Sequence, residues 1–205
     1  LEKWDMKMKI ILATHNMDKC AEMKSIMRGI PVKLLTLNEY PKIGEIIENG
    51  NTLLENALIK AQYAYKSLKV PVLADDSGLE VDCLGGQPGI FSSRYSKAGT
   101  DISNTKKLLA ELNKTHYKIR EARFRCSMVC IVEDVDKPIY SEGVLEGQIS
   151  DVPRGKGGFG YDPVFFLPEL GLCMAEISQE QKNKISHRSI AFNKMKKKLE
   201  LIDWI

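Results

Sequence analysis

Residues 49–78 read NGNTLLENALIKAQYAYKSLKVPVLADDSG. Thr52 followed three positions later by Glu55 is the signature of a capping box, in which a hydroxyl and a carboxylate satisfy backbone N–H groups at a helix start. Leu54, Leu58, Ala61, Tyr65 and Leu68 then recur at spacings of 4, 3, 4 and 3, which makes one apolar stripe of an α-helix. The segment VPVLA that follows is a short apolar strand ending at two adjacent acids, Asp75 and Asp76. A helix feeding a buried strand points to an α/β protein.

The flanking sequence extends this pattern. Upstream, MKIILAT is a second β-branched apolar run, followed by the polar segment HNMDK and a helix in which Cys20, Met23, Ile26 and Met27 share a face and Gly29 is the stop. Downstream, a helix is expected over 101–112 around Leu108, Leu109 and Leu112. In ARFRCSMVCIVED, Phe124, Cys126, Met128 and Cys130 alternate with Arg123, Arg125 and Ser127, a half-buried strand. DVDK then joins it to PIYSEGVLEGQI as a hairpin, so mixed pairing is expected. Phe192, Met195, Leu199 and Ile202 recur at 3, 4 and 3, which makes the lysine run NKMKKKLELI the solvated face of a last helix rather than a nucleic-acid-binding tail.

The composition bounds the function. The 205 residues are 43% apolar and 28% charged with a formal net charge of +3, enough to bury a core and too little basic excess for a chain-wide nucleic-acid footprint. Five cysteines without a C-x-x-C spacing fit reduced thiols. No apolar run reaches the roughly 18 residues of a membrane span, and LEKWDMKMK lacks the apolar stretch of a signal peptide, so a cytoplasmic address without membrane contact is expected. One domain is expected over 8–205, with 1–7 standing outside it as an artificial remnant or a disordered extension.

Four polar clusters fall where loops should leave structured elements. Thr14, Asn16 and Lys19 lie between a strand and a helix start, where backbone amides, a hydroxyl and a lysine suit phosphate oxygens, although Asn16 or Asp18 also serves as a simple cap. Asp75 and Asp76 repel each other, so a turn, a divalent cation or a shared proton must compensate, and strand alternation would send them to opposite sides. Glu48 in ENGNT offers a further carboxylate. RGKGGFGYDPVFF, residues 154–166, is a flexible loop that lets backbone approach a ligand, with Phe159 and Tyr161 able to stack on a planar ring; a structural turn with core aromatics is the alternative. Finally QEQKNKISHRS supplies Lys182, His187 and Arg188.

The segments ILATHNMDKCAEM, ENGNTLLENALIKA, VLADDSGLEVDCLGGQPGIFSSRYS, GGFGYDPVFF and EQKNKISHRSIAF occur in one order across residues 8–198. In these motifs the chain resembles the Ham1/RdgB-like inosine triphosphate pyrophosphatases. The resemblance implies an α/β fold with a long mixed β-sheet, flanking helices and two lobes around a central cleft. It also implies a homodimer, Mg²⁺ as cofactor, and hydrolysis of purine nucleoside triphosphates such as ITP, dITP and XTP to the monophosphate and pyrophosphate. Residue by residue, it implies that Thr14, Asn16, Lys19 and Lys60 hold the triphosphate and that Glu48 and Asp76 hold the metal, with Asp76 also the proton acceptor. Ser77, Phe159, Gly160, Tyr161, Asp162, Lys182, His187 and Arg188 would bind substrate, with Phe159 stacked on the base and Arg94 a further candidate. His15 stands where many members have Gly, and Ile47 where some carry an acid.

Two rivals are a Maf-type pyrophosphatase acting on modified nucleotides and a non-catalytic nucleotide- or RNA-binding module. No stable nucleic-acid partner is expected. A P-loop kinase and a zinc nucleobase deaminase are disfavoured, because neither G-x-x-x-x-G-K-[ST] nor H-x-E with P-C-x-x-C occurs.

Overall fold

The computed structural model describes residues 8–116 and 120–201; residues 1–7 and Ile202, expected above as an extension and as part of the last apolar stripe, lie outside them. In chain order the elements are β1 (Met8–Leu12), α1 (Met17–Ile26), β2 (Val32–Thr36), α2 (Leu53–Leu68), β3 (Val72–Val81), α3 (Asp101–Asn113), β4 (Glu121–Ile131), β5 (Ile139–Ile149), β6 (Phe165–Leu167), β7 (Leu172–Cys173), α4 (Gln179–Ile185) and α5 (His187–Glu200). The strands form a seven-stranded sheet in the order β2-β1-β3-β4-β5-β6-β7. β1 pairs in parallel with β2 and β3, whereas β6 runs antiparallel to β5 and β7, so the pairing is mixed as expected. No helix among the described residues is long and apolar enough to cross a membrane.

The chain divides into two compact units. The first comprises residues up to Asp76, Ser127–Glu142 and Ala191 onward; the second comprises Ser77–Cys126 and Gly143–Ile190. Each unit has an apolar core. In the first, Ile11, Ala13, Leu35 and Leu37 pack with Ala57, Ala61, Ala64, Val72, Ala74, Val129 and Ile131. In the second, Leu79, Val81, Leu108, Leu112, Phe124, Tyr161, Val164 and Phe165 pack together.

Several sequence expectations shift in detail. The cap of α2 is only half a capping box: Thr52 accepts from the Glu55 N–H at 3.1 Å, but the Glu55 carboxylate reaches back to the Asn51 N–H at 2.6 Å rather than to that of Thr52. The deepest face of α2 is Leu53, Ala57, Ala61 and Ala64 together with the polar Asn56 and Lys60. Leu54, Leu58, Tyr65 and Leu68 form a half-buried flank, because small alanines let the helix sit close to the sheet and the larger side chains wedge in beside it. β4 alternates only as far as Arg125 and is buried on both faces from Cys126 to Ile131, as suits a strand in mid-sheet.

The main correction concerns β3. It does not end before the acids but runs on to Val81, so Asp75 and Asp76 are strand residues and no Asx-turn forms there. Gly78 explains how the strand continues past the motif. A Cβ at this position would come within 2.5 Å of the Gly89 carbonyl oxygen and 3.3 Å of Ser92 Oγ. Ser92 Oγ in turn accepts the Leu79 N–H at 2.8 Å and donates to the Gly89 carbonyl at 2.6 Å, which docks the 3₁₀ segment Gly89–Arg94 on the strand. Gly78→Ala should therefore cost about 1–3 kcal/mol despite alanine's lower backbone entropy, because backbone must move to admit the methyl group. Urea unfolding checks this, and an unchanged midpoint would contradict the close approach.

Candidate active site

The first unit gathers the acidic and phosphate-binding candidates. Asp75 is fully buried and pairs with Lys19 Nζ of α1 at 3.2 Å. Its neighbour Asp76 is 8% exposed and meets α2 instead: Lys60 Nζ lies 3.8 Å from Oδ1, and Asn56 Nδ2 donates to Oδ2 at 3.1 Å. Strand alternation thus hands consecutive carboxylates to different helices. Lys60 Nζ also contacts Glu48 Oε1 at 2.9 Å, so a loop residue and a strand residue converge on one ammonium group. Ile47, next to Glu48, is 79% exposed.

Asn56 was not singled out from the sequence, yet it fixes this arrangement. Its Oδ1 accepts the Gly50 N–H at 2.9 Å while its Nδ2 holds Asp76, so one amide ties the ENGNT loop to β3. Gly50 allows this, since a Cβ there would meet Asn56 Oδ1 at 2.8 Å. The available signal was an asparagine one turn before Lys60, a polar pair at i, i+4 on an otherwise apolar helix face.

At the start of α1, Asn16 is the N-cap and its Oδ1 accepts the Lys19 N–H at 2.9 Å. Thr14 Oγ1 accepts the Asn16 N–H at 3.2 Å, and the His15 ring is held by Asn38 Oδ1 at 3.1 Å. Capping and anion binding are compatible here: the Asn16 oxygen orders the turn, and its amide nitrogen, exposed with the residue, can face a phosphate.

Burial decides the electrostatics of Asp76. Desolvation pushes its carboxyl above the usual aspartate range, opposed by the Lys60 and Lys19 ammonium groups and by the Asn56 hydrogen bond, with Glu48 adding to the rise. Among the described residues no three or more His, Cys, Asp or Glu side chains gather as a metal cage. Glu48 and Asp76 nevertheless present hard oxygens that already share one cation, which is the donor set Mg²⁺ uses together with water and substrate phosphates. The residues present fit that ion.

The second unit gathers the ring-binding candidates. Asp162 is 3% exposed and receives Lys182 Nζ and the Phe159 N–H on the same Oδ2, at 2.5 and 3.0 Å. The Lys182 ammonium lies 4.5 Å from the Phe159 ring centroid and the Arg188 guanidinium 5.8 Å from it, so cations already sit against this partly exposed ring. Arg188 is buried and donates to Ser77 Oγ at 3.1 Å. His187 is buried and stacks its ring on Phe124, with 4.8 Å between ring centroids. Tyr161 has a different place from Phe159: it is 5% exposed in the core and its hydroxyl donates to the Ser92 carbonyl at 2.8 Å. Its ring therefore anchors the loop and is not presented for stacking. Arg94 is exposed and rests on Phe91 at 5.3 Å.

The Ham1 family profile matches residues 10–198. A dITP/XTP pyrophosphatase of Geobacillus kaustophilus is 44% identical over 196 residues, covering 94% of this chain and 95% of that protein. Solved structures also match. A Ham1 protein from Coxiella burnetii gives a TM-score of 0.86 at 40% identity, and the Staphylococcus aureus Ham1 protein gives 0.82 at 38%, each comparison covering 94% of this chain and 98% of the other.

The raised Asp76 carboxyl has a consequence for stability. Between the ordinary aspartate range and the raised value, the folded chain binds the proton that the unfolded chain releases, so stability falls as pH rises through that window. In EDTA, Asp76→Asn should be more thermally stable than the parent above the window and equal to it at acid pH, read as melting temperature against pH. A parent that is the more stable at pH 8 would show that attraction to Lys60 outweighs burial.

Proposed function

The chain belongs to the Ham1 family, and from that premise we propose that it hydrolyses non-canonical purine nucleoside triphosphates with a 6-oxo base, such as ITP, dITP and XTP, to the monophosphate and pyrophosphate. Supporting this reading, relatives named dITP/XTP pyrophosphatase align over more than nine-tenths of the chain. The observation that carries the chemistry is Asp76: a buried carboxylate with raised proton affinity, oriented by an amide and an ammonium group. Such a group suits general-base work better than an ordinary, solvated aspartate would.

In the proposed reaction, Lys19, Lys60, Thr14 and Asn16 bind the triphosphate oxygens. Asp76 accepts the proton of a water that attacks the α-phosphorus, and the bond from that phosphorus to the bridging oxygen breaks to release pyrophosphate. The lysines stabilise charge on the departing group, so positioning and electrostatics supply most of the rate. Mg²⁺, held by Glu48 and Asp76, would neutralise phosphate charge and polarise the phosphoryl oxygens. Lys60 Nζ contacts both of those carboxylates, and in this reaction its ammonium group would pair with phosphate oxygens of the substrate.

Phe159 stacks on the base, and Lys182, His187 and Arg188 supply donors to its edge. A 6-oxo group accepts from such donors, whereas the 6-amino group of adenine leaves them mispaired, and a hydrogen-bonding site discriminates by orders of magnitude on that basis. We further propose a homodimer working in the reducing cytoplasm, in keeping with the family resemblance and with five cysteines that are in no disulfide.

Incubation with Mg²⁺ and dITP, XTP or dATP should release pyrophosphate, not orthophosphate, from the first two at least ~100-fold faster than from dATP. Asp76→Asn should lose at least ~100-fold in kcat while remaining folded. Equal hydrolysis of dATP and dITP, or salt-sensitive RNA binding without turnover, would overturn the reading.

A further inference from the structure

Gly160 lies beside Phe159 in the loop that presents the ring, with a backbone φ of +63°. Both of its backbone polar groups are taken by α3. Its N–H donates to Asp101 Oδ2 at 2.6 Å, and its carbonyl accepts from Thr105 Oγ1 at 3.5 Å. The same turn of α3 holds a second segment through Asn104, which is 2% exposed: its Nδ2 donates to the Ser93 carbonyl at 3.0 Å and its Oδ1 accepts the Ser96 N–H at 2.7 Å. Tyr161 closes the circuit by donating to the Ser92 carbonyl.

Asp101, Asn104 and Thr105 stand at i, i+3 and i+4, one face of the helix. None of them was implicated by the sequence. We infer that the first turn of α3 is a clamp that sets the position of Phe159, with Asp101 as the positioning residue for base recognition. This rests on the proposed function, because it assigns the setting of that same ring. A carboxylate is suited to the task, since a charge-assisted bond to a backbone N–H is stronger and shorter than a neutral one. The opposite side of the loop is pinned by Asp162 on the Phe159 N–H, so consecutive amides at 159 and 160 are held by carboxylates from different parts of the chain.

The test compares Asp101→Ala, Asp101→Asn and Thr105→Val with Thr100→Ala. Thr100 is the N-cap of α3, and its loss weakens the helix without touching the loop. Steady-state kinetics on dITP and dATP, melting temperatures, and calorimetric binding of dITP in EDTA are measured for each. Asp101→Ala should raise KM for dITP and its Kd in EDTA roughly tenfold, with kcat within about twofold and a smaller preference for dITP over dATP. Asp101→Asn, whose amide oxygen still accepts the Gly160 N–H, should recover most of the loss, and Thr105→Val should show a lesser version of it. Thr100→Ala should lower the melting temperature with KM unchanged. If Asp101→Ala behaves like Thr100→Ala, the clamp is only structural and the inference falls. If the parent itself neither binds nor prefers dITP, the inference and the proposed function fall together; a parent that prefers dITP beside an unaffected Asp101→Ala removes the inference alone.

Discussion

Two consecutive carboxylates buried in a mid-sheet strand are the constraint around which this chain is arranged. Asp75 and Asp76 lie within β3, and a low-dielectric site penalises each charge heavily unless hydrogen bonds and counter-charges offset it. Strand alternation makes the offset feasible by presenting the acids to different helices. α1 answers with Lys19 and α2 with Lys60 and Asn56, which requires a buried lysine and a buried asparagine on helix faces that would otherwise be apolar. A buried ion pair of this kind adds little net stability compared with an apolar substitute, so stability alone does not account for its presence.

The ring-binding side follows similar physics with a different device. Here backbone amides are the groups that need placing, and carboxylates place them: Asp162 takes the Phe159 N–H and Asp101 that of Gly160. A glycine makes the first of these approaches possible. A Cβ at Gly158 would collide with the Asp162 carboxylate, and that residue also has a φ of +70°. Gly158 therefore gives clearance to a carboxylate hub that also holds the Lys182 ammonium group, whereas Gly155 and Gly157 pass close to the Ala175 carbonyl.

Much of the fold was legible in the sequence because periodicity and caps report directly on local structure. The α2 helix, the α/β order, the mixed pairing and the polar loop after β1 were all visible. What escaped notice depended on contacts distant in sequence. The extension of β3 past the acids needs the Gly89–Arg94 segment to cover it, and Asn56 acquires meaning only when Gly50 and Asp76 flank it. Tyr161 resembled Phe159 as a ring beside a glycine loop, and only the core packed around it and the Ser92 carbonyl separate the two roles. Asp101 sits in an ordinary helix start, where an acid in the first turn is expected on dipole grounds alone, and nothing local distinguishes it.

The most direct measurement of the central claim is the titration of the Asp76 side-chain carboxyl by ¹³C NMR in metal-free protein, in the parent and in Lys60→Met. Burial is the largest influence on this group and Lys60 the largest opposing one. The carboxyl should titrate above the ordinary aspartate value of about 3.9 in the parent, and higher still once the ammonium is removed. Titration at or below the ordinary value, or a fall on loss of Lys60, would contradict the account.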